Sequence, residues 1–256
     1  MTVLPSKRRL GAPWAGVLVL ALLSGCASTG DPENRAPYDP FEPVNRQVWA
    51  FNQAVDRAVV RPAARAYDTV TPRLVQRGVS NVLDNLNTPI WMLNHLLQGN
   101  PKDAGKQATR FVLNTTLGVF GIFDPAGDHG LEKNRANFDQ TFGKWGVPPG
   151  PFLMLPLLGP NSVRGGAAAL VRIETDVVWN YFDDNRSVRD KLIALEVIDT
   201  RRRLLPLDRT IRRAPDSYIF VRDAYRQRAE FAVQGAGRPD DDVRLDFEDE
   251  DWGDDF

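Results

Sequence analysis

Apolar residues recur along most of this chain at helical rather than strand spacing. Val75, Val79, Val82, Leu86, Ile90, Leu93 and Leu97 follow one another at steps of 4, 3, 4, 4, 3 and 4, the repeat that lines one face of a helix. Thr88-Pro89 falls inside that run as an N-cap and first-turn pair, so the pattern predicts two helices there rather than one. The first has a polar back of Arg73, Gln76, Arg77, Ser80, Asn81 and Asp84. The second, around Ile90, Trp91, Met92, Leu93, Leu96 and Leu97, keeps only Asn94 and His95 polar, and such a helix is buried in protein or in lipid. Phe111 to Phe123 is a further apolar stretch, broken by Asn114, Thr115, Thr116, Gly118 and Gly121. Phe152 to Leu158 is another, but Pro151, Pro156 and Pro160 with the glycines before them favour an extended loop or hairpin over a helix. From Arg186 the helical pattern returns, with Arg201, Arg202 and Arg203 near one helix end and a last segment carrying Tyr218, Val221, Tyr225, Ala229 and Ala232 on one face.

The first 25 residues read differently. Lys7, Arg8 and Arg9 precede an apolar run of ten residues from Trp14 to Leu23, which has the layout of a secretory signal and is too short to span a bilayer. Leu23-Ser24-Gly25-Cys26 resembles the lipobox of bacterial lipoproteins, so the only cysteine, Cys26, is expected to become the acylated first residue of the mature chain. The boundaries expected are 1–25 signal peptide, 26–40 lipidated tether, 41–235 folded body and 236–256 tail. The tail holds ten carboxylates against Arg238 and Arg244, a net of −8; a segment so charged and poor in apolar residues is expected to be disordered.

Charge and composition remove several kinds of chemistry. With one cysteine, and histidine only at 95 and 129, a zinc site of the usual make-up is not expected. Gly78-Val79-Ser80-Asn81-Val82 holds only half of a nucleophile elbow, which leaves a serine hydrolase built from Ser80 with His95 or His129 as a minor alternative. His95 reads better as a polar point on an apolar helix, and His129 as a turn residue beside Gly127 and Gly130. Asp183-Asp184-Asn185 reads as the cap of the next helix. No phosphate-binding loop is present. The chain is therefore not expected to be an enzyme, nor to need a cofactor, a metal or nucleic acid.

Asp39-Pro40-Phe41-Glu42-Pro43-Val44-Asn45-Arg46 followed by Phe51-Asn52 resembles the opening signature of the MlaA (VacJ) lipoproteins. The likeness continues through Arg61-Pro62, Gly78-Val79-Ser80-Asn81, Leu97-Gln98-Gly99, Arg110-Phe111, Phe142-Gly143, Trp145-Gly146, Gly150-Pro151 and Leu155-Pro156 to Tyr218, Val221-Arg222, Ala224-Tyr225 and Gln227-Arg228. Gly165, where Asp is usual, and Asp139, where glycine is common, depart from it. The resemblance implies an all-α fold, a single ring-like domain of short amphipathic helices with a Gly/Pro-rich hairpin loop. It implies a protein anchored by lipid in the periplasmic leaflet of the outer membrane, beside a trimeric porin. Its task would be to draw mislocalised phospholipid from the outer leaflet through an amphipathic channel and pass it to a soluble periplasmic lipid carrier. A porin-associated structural lipoprotein is the alternative. Phe41, Val44, Trp49 and Phe51 are the candidates for the channel mouth. The loop from Phe142 to Pro160 is the candidate gate, hinged at Gly143, Gly146, Gly150 and Gly159 with Leu153 facing the ring.

Overall fold

The computed structural model describes residues 38–175 and 186–234. Cys26 with the signal, most of the expected tether, Asp183-Asp184-Asn185 and the acidic tail lie outside the described residues. The described chain is helical, with one small hairpin: α1 (Glu42–Val55), α2 (Arg61–Val70), α3 (Arg73–Leu97), α4 (Pro101–Thr116), α5 (Pro125–Asp128), α6 (Phe138–Lys144), β1 (Phe152–Leu155), β2 (Gly159–Ser162), α7 (Val163–Thr175), α8 (Arg186–Arg203), α9 (Asp208–Arg213) and α10 (Ser217–Gln234). The helical character expected of the chain is observed, and so is the hairpin at Phe152. Among the described residues no helix is long and apolar enough to cross a membrane.

A five-residue π-helical stretch, Asp56–Val60, joins α1 to α2. Pro62 lies just beyond it; it has no N–H to donate and its ring crowds the carbonyl four residues back, and a wider turn relieves that crowding.

The expectation of two helices at Thr88-Pro89 is corrected: α3 runs unbroken for 25 residues with Pro89 inside it. Thr88 does not cap a new helix. Its hydroxyl donates back to the Asp84 carbonyl at 2.9 Å within the same helix, so the pair keeps the helix going where the sequence pattern suggests a stop.

The body also begins earlier than residue 41. Asp39 is fully buried, where it accepts from Tyr218 Oη at 2.6 Å, from Arg222 Nη1 at 3.3 Å and from Asn45 Nδ2 at 2.8 Å. Tyr38 donates through its hydroxyl to Asp223, and its ring lies under the guanidinium groups of Arg222 and Arg226. The first described residues are thereby fastened to the last helix. Beneath them Val48, Phe152, Met154 and Tyr218 form a small apolar core, with Trp49 and Tyr225 packed on its edge.

Candidate functional site

The burial pattern of α3 and α4 runs against the usual order. On α3 the buried residues include Gln76, Asp84, Asn85, Thr88, Asn94 and His95, while Leu74, Val75, Leu93, Leu96 and Leu97 are exposed. α4 buries Gln107, Arg110 and Asn114 and exposes Val112. Across the described residues 17 polar or charged residues are buried against 12 apolar ones, and the largest fully buried side chains are Tyr218, Gln76, Gln107, Asn94, Thr141, Asp39 and Asp199. Soluble folds place large apolar side chains in those positions.

Burying polar groups costs energy unless they find partners, and many of these side chains bond to one another. Arg110 Nη2 donates to both oxygens of Asp124 at 2.8 Å, and Asn114 Nδ2 donates to the same carboxylate at 2.8 Å. Asp84 receives Lys133 at 3.0 Å and Arg135 at 3.0 Å. Thr141 donates to Asn94 Oδ1 at 2.7 Å and accepts from Gln98 at 2.9 Å, and His95 Nε2 lies 3.0 Å from the Asn134 carbonyl oxygen. Burial pushes the Asp124 carboxyl upward, but the hydrogen bonds from Arg110, Asn114 and the Gly127 N–H outweigh it and hold the group below the usual carboxylate range.

Outside this polar interior lies a continuous supply of exposed apolar residues. The turn after α4 carries Leu117, Val119, Phe120, Ile122 and Phe123, with Phe120 77% exposed. No charged residue occurs between Arg110 and Asp124. Val119 and Phe120 hold left-handed backbone, φ 52° and 55°, at a cost on the order of 1–2 kcal/mol each. Two glycines fix the turn in place. A Cβ on Gly118 would lie 2.5 Å from the backbone oxygens of Asn114 and Phe123, and one on Gly121 would lie 2.7 Å from Asn85 Cβ.

The residues singled out by sequence fall into two places. Phe41 immediately precedes α1, and Val44, Trp49 and Phe51 lie on it; Phe41 and Phe51 are 47% and 52% exposed, whereas Trp49 packs against the core. Gly146 and Gly150 precede the hairpin and Gly159 opens β2 at its turn, all three with positive φ. Leu153 is half-buried on β1, opposite Asn161. Gly143 lies inside α6, where a Cβ would come 2.5 Å from Val233 of α10; its position is one of close helix packing. A recess of about 360 Å³ opens between the hairpin and α10, lined in part by Tyr38, Phe152, Arg164, Tyr225 and Val233.

Ser80 is not part of a nucleophile–histidine pair. Its hydroxyl donates to Asp199 at 2.8 Å, and His95 lies 15 residues along the same helix, about 22 Å away at 1.5 Å per residue. His129 is a turn residue bonded through Nδ1 to the Pro125 carbonyl oxygen. Among the described residues no cluster could hold a metal ion.

Sequence reasoning missed the ion pair of Arg164, although it noted Asp139 and Gly165. Arg164 Nε donates to Asp139 at 2.7 Å, and a Cβ at Gly165 would meet Tyr225 Oη at 2.8 Å. The two departures noted in the sequence thus lie at one place: Asp139 supplies the carboxylate that pairs with Arg164, the neighbour of Gly165.

A family model described as MlaA lipoprotein matches residues 37–232. The intermembrane phospholipid transport system lipoprotein MlaA of Shigella flexneri is 38% identical over 238 residues, 90% of each chain. Its counterpart in Haemophilus influenzae is 30% identical over 216 residues, 82% of this chain and 86% of the other. A solved structure described as the structural basis for maintenance of bacterial outer membrane lipid asymmetry has a TM-score of 0.68 at 33% identity, covering 78% of this chain and 100% of that one.

Proposed function

The chain belongs to the MlaA lipoprotein family, and from that premise we propose that it withdraws mislocalised phospholipid from the outer leaflet of the outer membrane and passes it on for return transport. It sits in the periplasmic leaflet, anchored through Cys26, beside a trimeric porin, and delivers its lipid to a soluble periplasmic carrier. It does this without catalysis.

One observation carries the reading: α3 and α4 bury polar side chains such as Asn94, Arg110 and Asn114, while the end of α3 and the turn after α4 expose Leu93, Leu96, Leu117, Phe120 and Phe123. A protein surrounded by hydrocarbon needs an apolar exterior, and helices too short to span can lie within one leaflet. Moving a zwitterionic or anionic headgroup through hydrocarbon costs many kcal/mol, and a polar-lined passage lowers that barrier. Each methylene leaving lipid costs about 0.8 kcal/mol, so the tails need an apolar surface throughout. On this reading the exposed Phe41 and Phe51, with Val44 and Trp49, offer such a surface at the mouth. The hairpin around Leu153, between Gly146 or Gly150 and Gly159, is the gate. Direction comes from uptake downstream, since a passage alone favours neither side.

The test is leaflet composition in cells. In a strain lacking the protein, phosphatidylethanolamine reached by a membrane-impermeant amine reagent should rise, wild-type protein should restore it, and Cys26→Ala at equal abundance should not. Unchanged labelling in the deletion strain would overturn the reading.

A further inference from the structure

A hairpin of two strands leaves the outer edge of β1 with unpaired backbone groups, and these need partners. β1 packs along α1, whose own backbone groups are already used within the helix. Two side chains of α1 take the role instead. Asn45 Nδ2 donates to the Phe152 carbonyl at 3.1 Å, and the Met154 N–H donates to Asn45 Oδ1 at 2.9 Å. Asn52 Nδ2 donates to the Leu155 carbonyl at 3.0 Å, and the Leu157 N–H donates to Asn52 Oδ1 at 2.8 Å. Each carboxamide thus engages the two groups that a residue of a neighbouring parallel strand would engage. The spacing fits: seven residues of helix advance about 10.5 Å, and the three-residue step between the two bonding sites advances about 10 Å of extended chain.

The two contacts are unequal. Asn45 is buried and also bonded to Asp39, and the base of the hairpin has a further bond from the Phe152 N–H to the Tyr38 carbonyl at 2.7 Å. Asn52 is only half-buried and bonds the far end. Beyond it Leu157 and Leu158 are exposed, and Leu157 has φ +62°, a conformation that side-chain-bearing residues rarely adopt. Phe51, adjacent in sequence, points about 100° round the helix from Asn52 and is exposed.

We propose that Asn45 and Asn52 form a two-point latch in which Asn45 permanently fixes the base of the hairpin and Asn52 releasably holds its tip, making Asn52 a positioning residue for lipid passage. Within that gate the moving part is then the short tip from Leu155 to Gly159, while Leu153 and the glycines before β1 belong to its fixed base. The passage half of this proposal rests on the transport reading; the latch itself does not.

The experiment uses the full-length, lipidated protein in vesicles of phosphatidylethanolamine and phosphatidylglycerol. Two quantities are followed: amide hydrogen exchange of the hairpin, and protein-dependent transfer of a fluorescent phosphatidylethanolamine to acceptor vesicles. Asn52→Ala should speed exchange at Leu157 at least tenfold, leave Met154 within twofold of wild type, and raise transfer at least threefold without moving the melting temperature. Asn52→Asp, which keeps the acceptor for the Leu157 N–H but loses the donor to Leu155, should fall between the two, and Asn52→Gln should restore part of the protection. Unchanged exchange at Leu157, or equal acceleration at Met154, would overturn the latch. Faster tip exchange with unchanged or slower transfer would overturn the role of Asn52 in passage. Should the wild-type protein itself transfer no lipid, the transport reading fails, and exchange alone then decides the latch.

Discussion

Around Phe152 an apolar core forms, with Val48, Met154 and Tyr218 closed over one another and one buried hydrogen bond from Tyr218 to Asp39 beside it. At the end of α3 and in the second half of α4 the arrangement is reversed, with Asn94 and Arg110 inside and Leu93, Leu96 and Val112 outside. On the proposed reading the two regions answer to different surroundings. Where hydrocarbon would lie outside, apolar burial gains nothing, since lipid tails are as apolar as leucine, and hydrogen bonds must organise the interior. Near the hairpin and α10 the usual hydrophobic driving force operates. The same chain therefore carries two packing regimes, and mutations should separate them.

The largest contrast should come from removing an apolar side chain in each region. Phe152→Ala is expected to lower stability by about 4 kcal/mol, read as a shift of the urea midpoint in detergent. Leu93→Ala, an equally apolar residue on the outer surface, should change it by less than about 0.5 kcal/mol. Equal shifts would erase the distinction between the regions.

The reverse experiment attacks the polar interior. Arg110→Met leaves Asp124 with Asn114, the Gly127 N–H and a 3.6 Å approach from Lys133. Breaking a buried pair from one side costs about 3–5 kcal/mol, and the remaining partners place the expected loss near 3 kcal/mol. The same urea titration measures it.

Phe120→Asp should leave the fold almost unchanged and weaken vesicle binding of a soluble, unlipidated form by about 2 kcal/mol, roughly thirtyfold. Co-sedimentation with vesicles reads this directly. Binding as strong as wild type would place the turn after α4 away from lipid.

The smallest effect is in pH dependence, and it sharpens the comparison by sign. Burial and the hydrogen bonds they donate to Asp39 and Asp223 raise the Tyr218 and Tyr38 phenols above their ordinary values, and burial raises that of Tyr225. A raised phenol stabilises the fold below its unfolded pKa of about 10, and the contribution disappears as pH climbs beyond it. All three residues belong to the hairpin region, and residues 73–141 contain no tyrosine. Alkali should therefore loosen the surroundings of Trp49 before those of Trp91, as read by the fluorescence of variants retaining one tryptophan each. Acid should not discriminate: Asp124 in one region and Asp216 and Asp223 in the other all lie below their ordinary values, so both lose stability as pH falls below about 4.

Periodicity in the sequence located the helices because spacing depends on local geometry alone. It could not say which face turns inward, because that depends on the solvent outside. On α3 the run from Val75 to Leu97 was legible as a stripe, yet Ile90 faces in while Val75 and Leu97 face out. Thr88-Pro89 misled for a related reason: a threonine hydroxyl can cap a new helix or bond back within an old one, and only the neighbours decide. The hairpin was legible from its prolines and glycines. Its attachment was not, since an asparagine pair seven residues apart has no distinctive pattern until β1 lies beside it. Arg201, Arg202 and Arg203 were visible as a helix end; Asp199, the partner of Arg202 and Arg203, lies one turn back on the same helix, but Asp56, which Arg201 grips, is 145 residues away in sequence.

The clasp between Asp39 and α10 also has a mechanical consequence. Asp39 stands where the upstream chain enters the body, and it grips Tyr218 and Arg222 from near the other end of the described chain while Tyr38 holds β1. Tension applied to the upstream chain does not meet a free helix end that can be peeled away turn by turn. It is divided at once among the first helix, the hairpin and the last helix, so the body resists a pull on its mooring as a closed loop does, yielding only when several bonds part together.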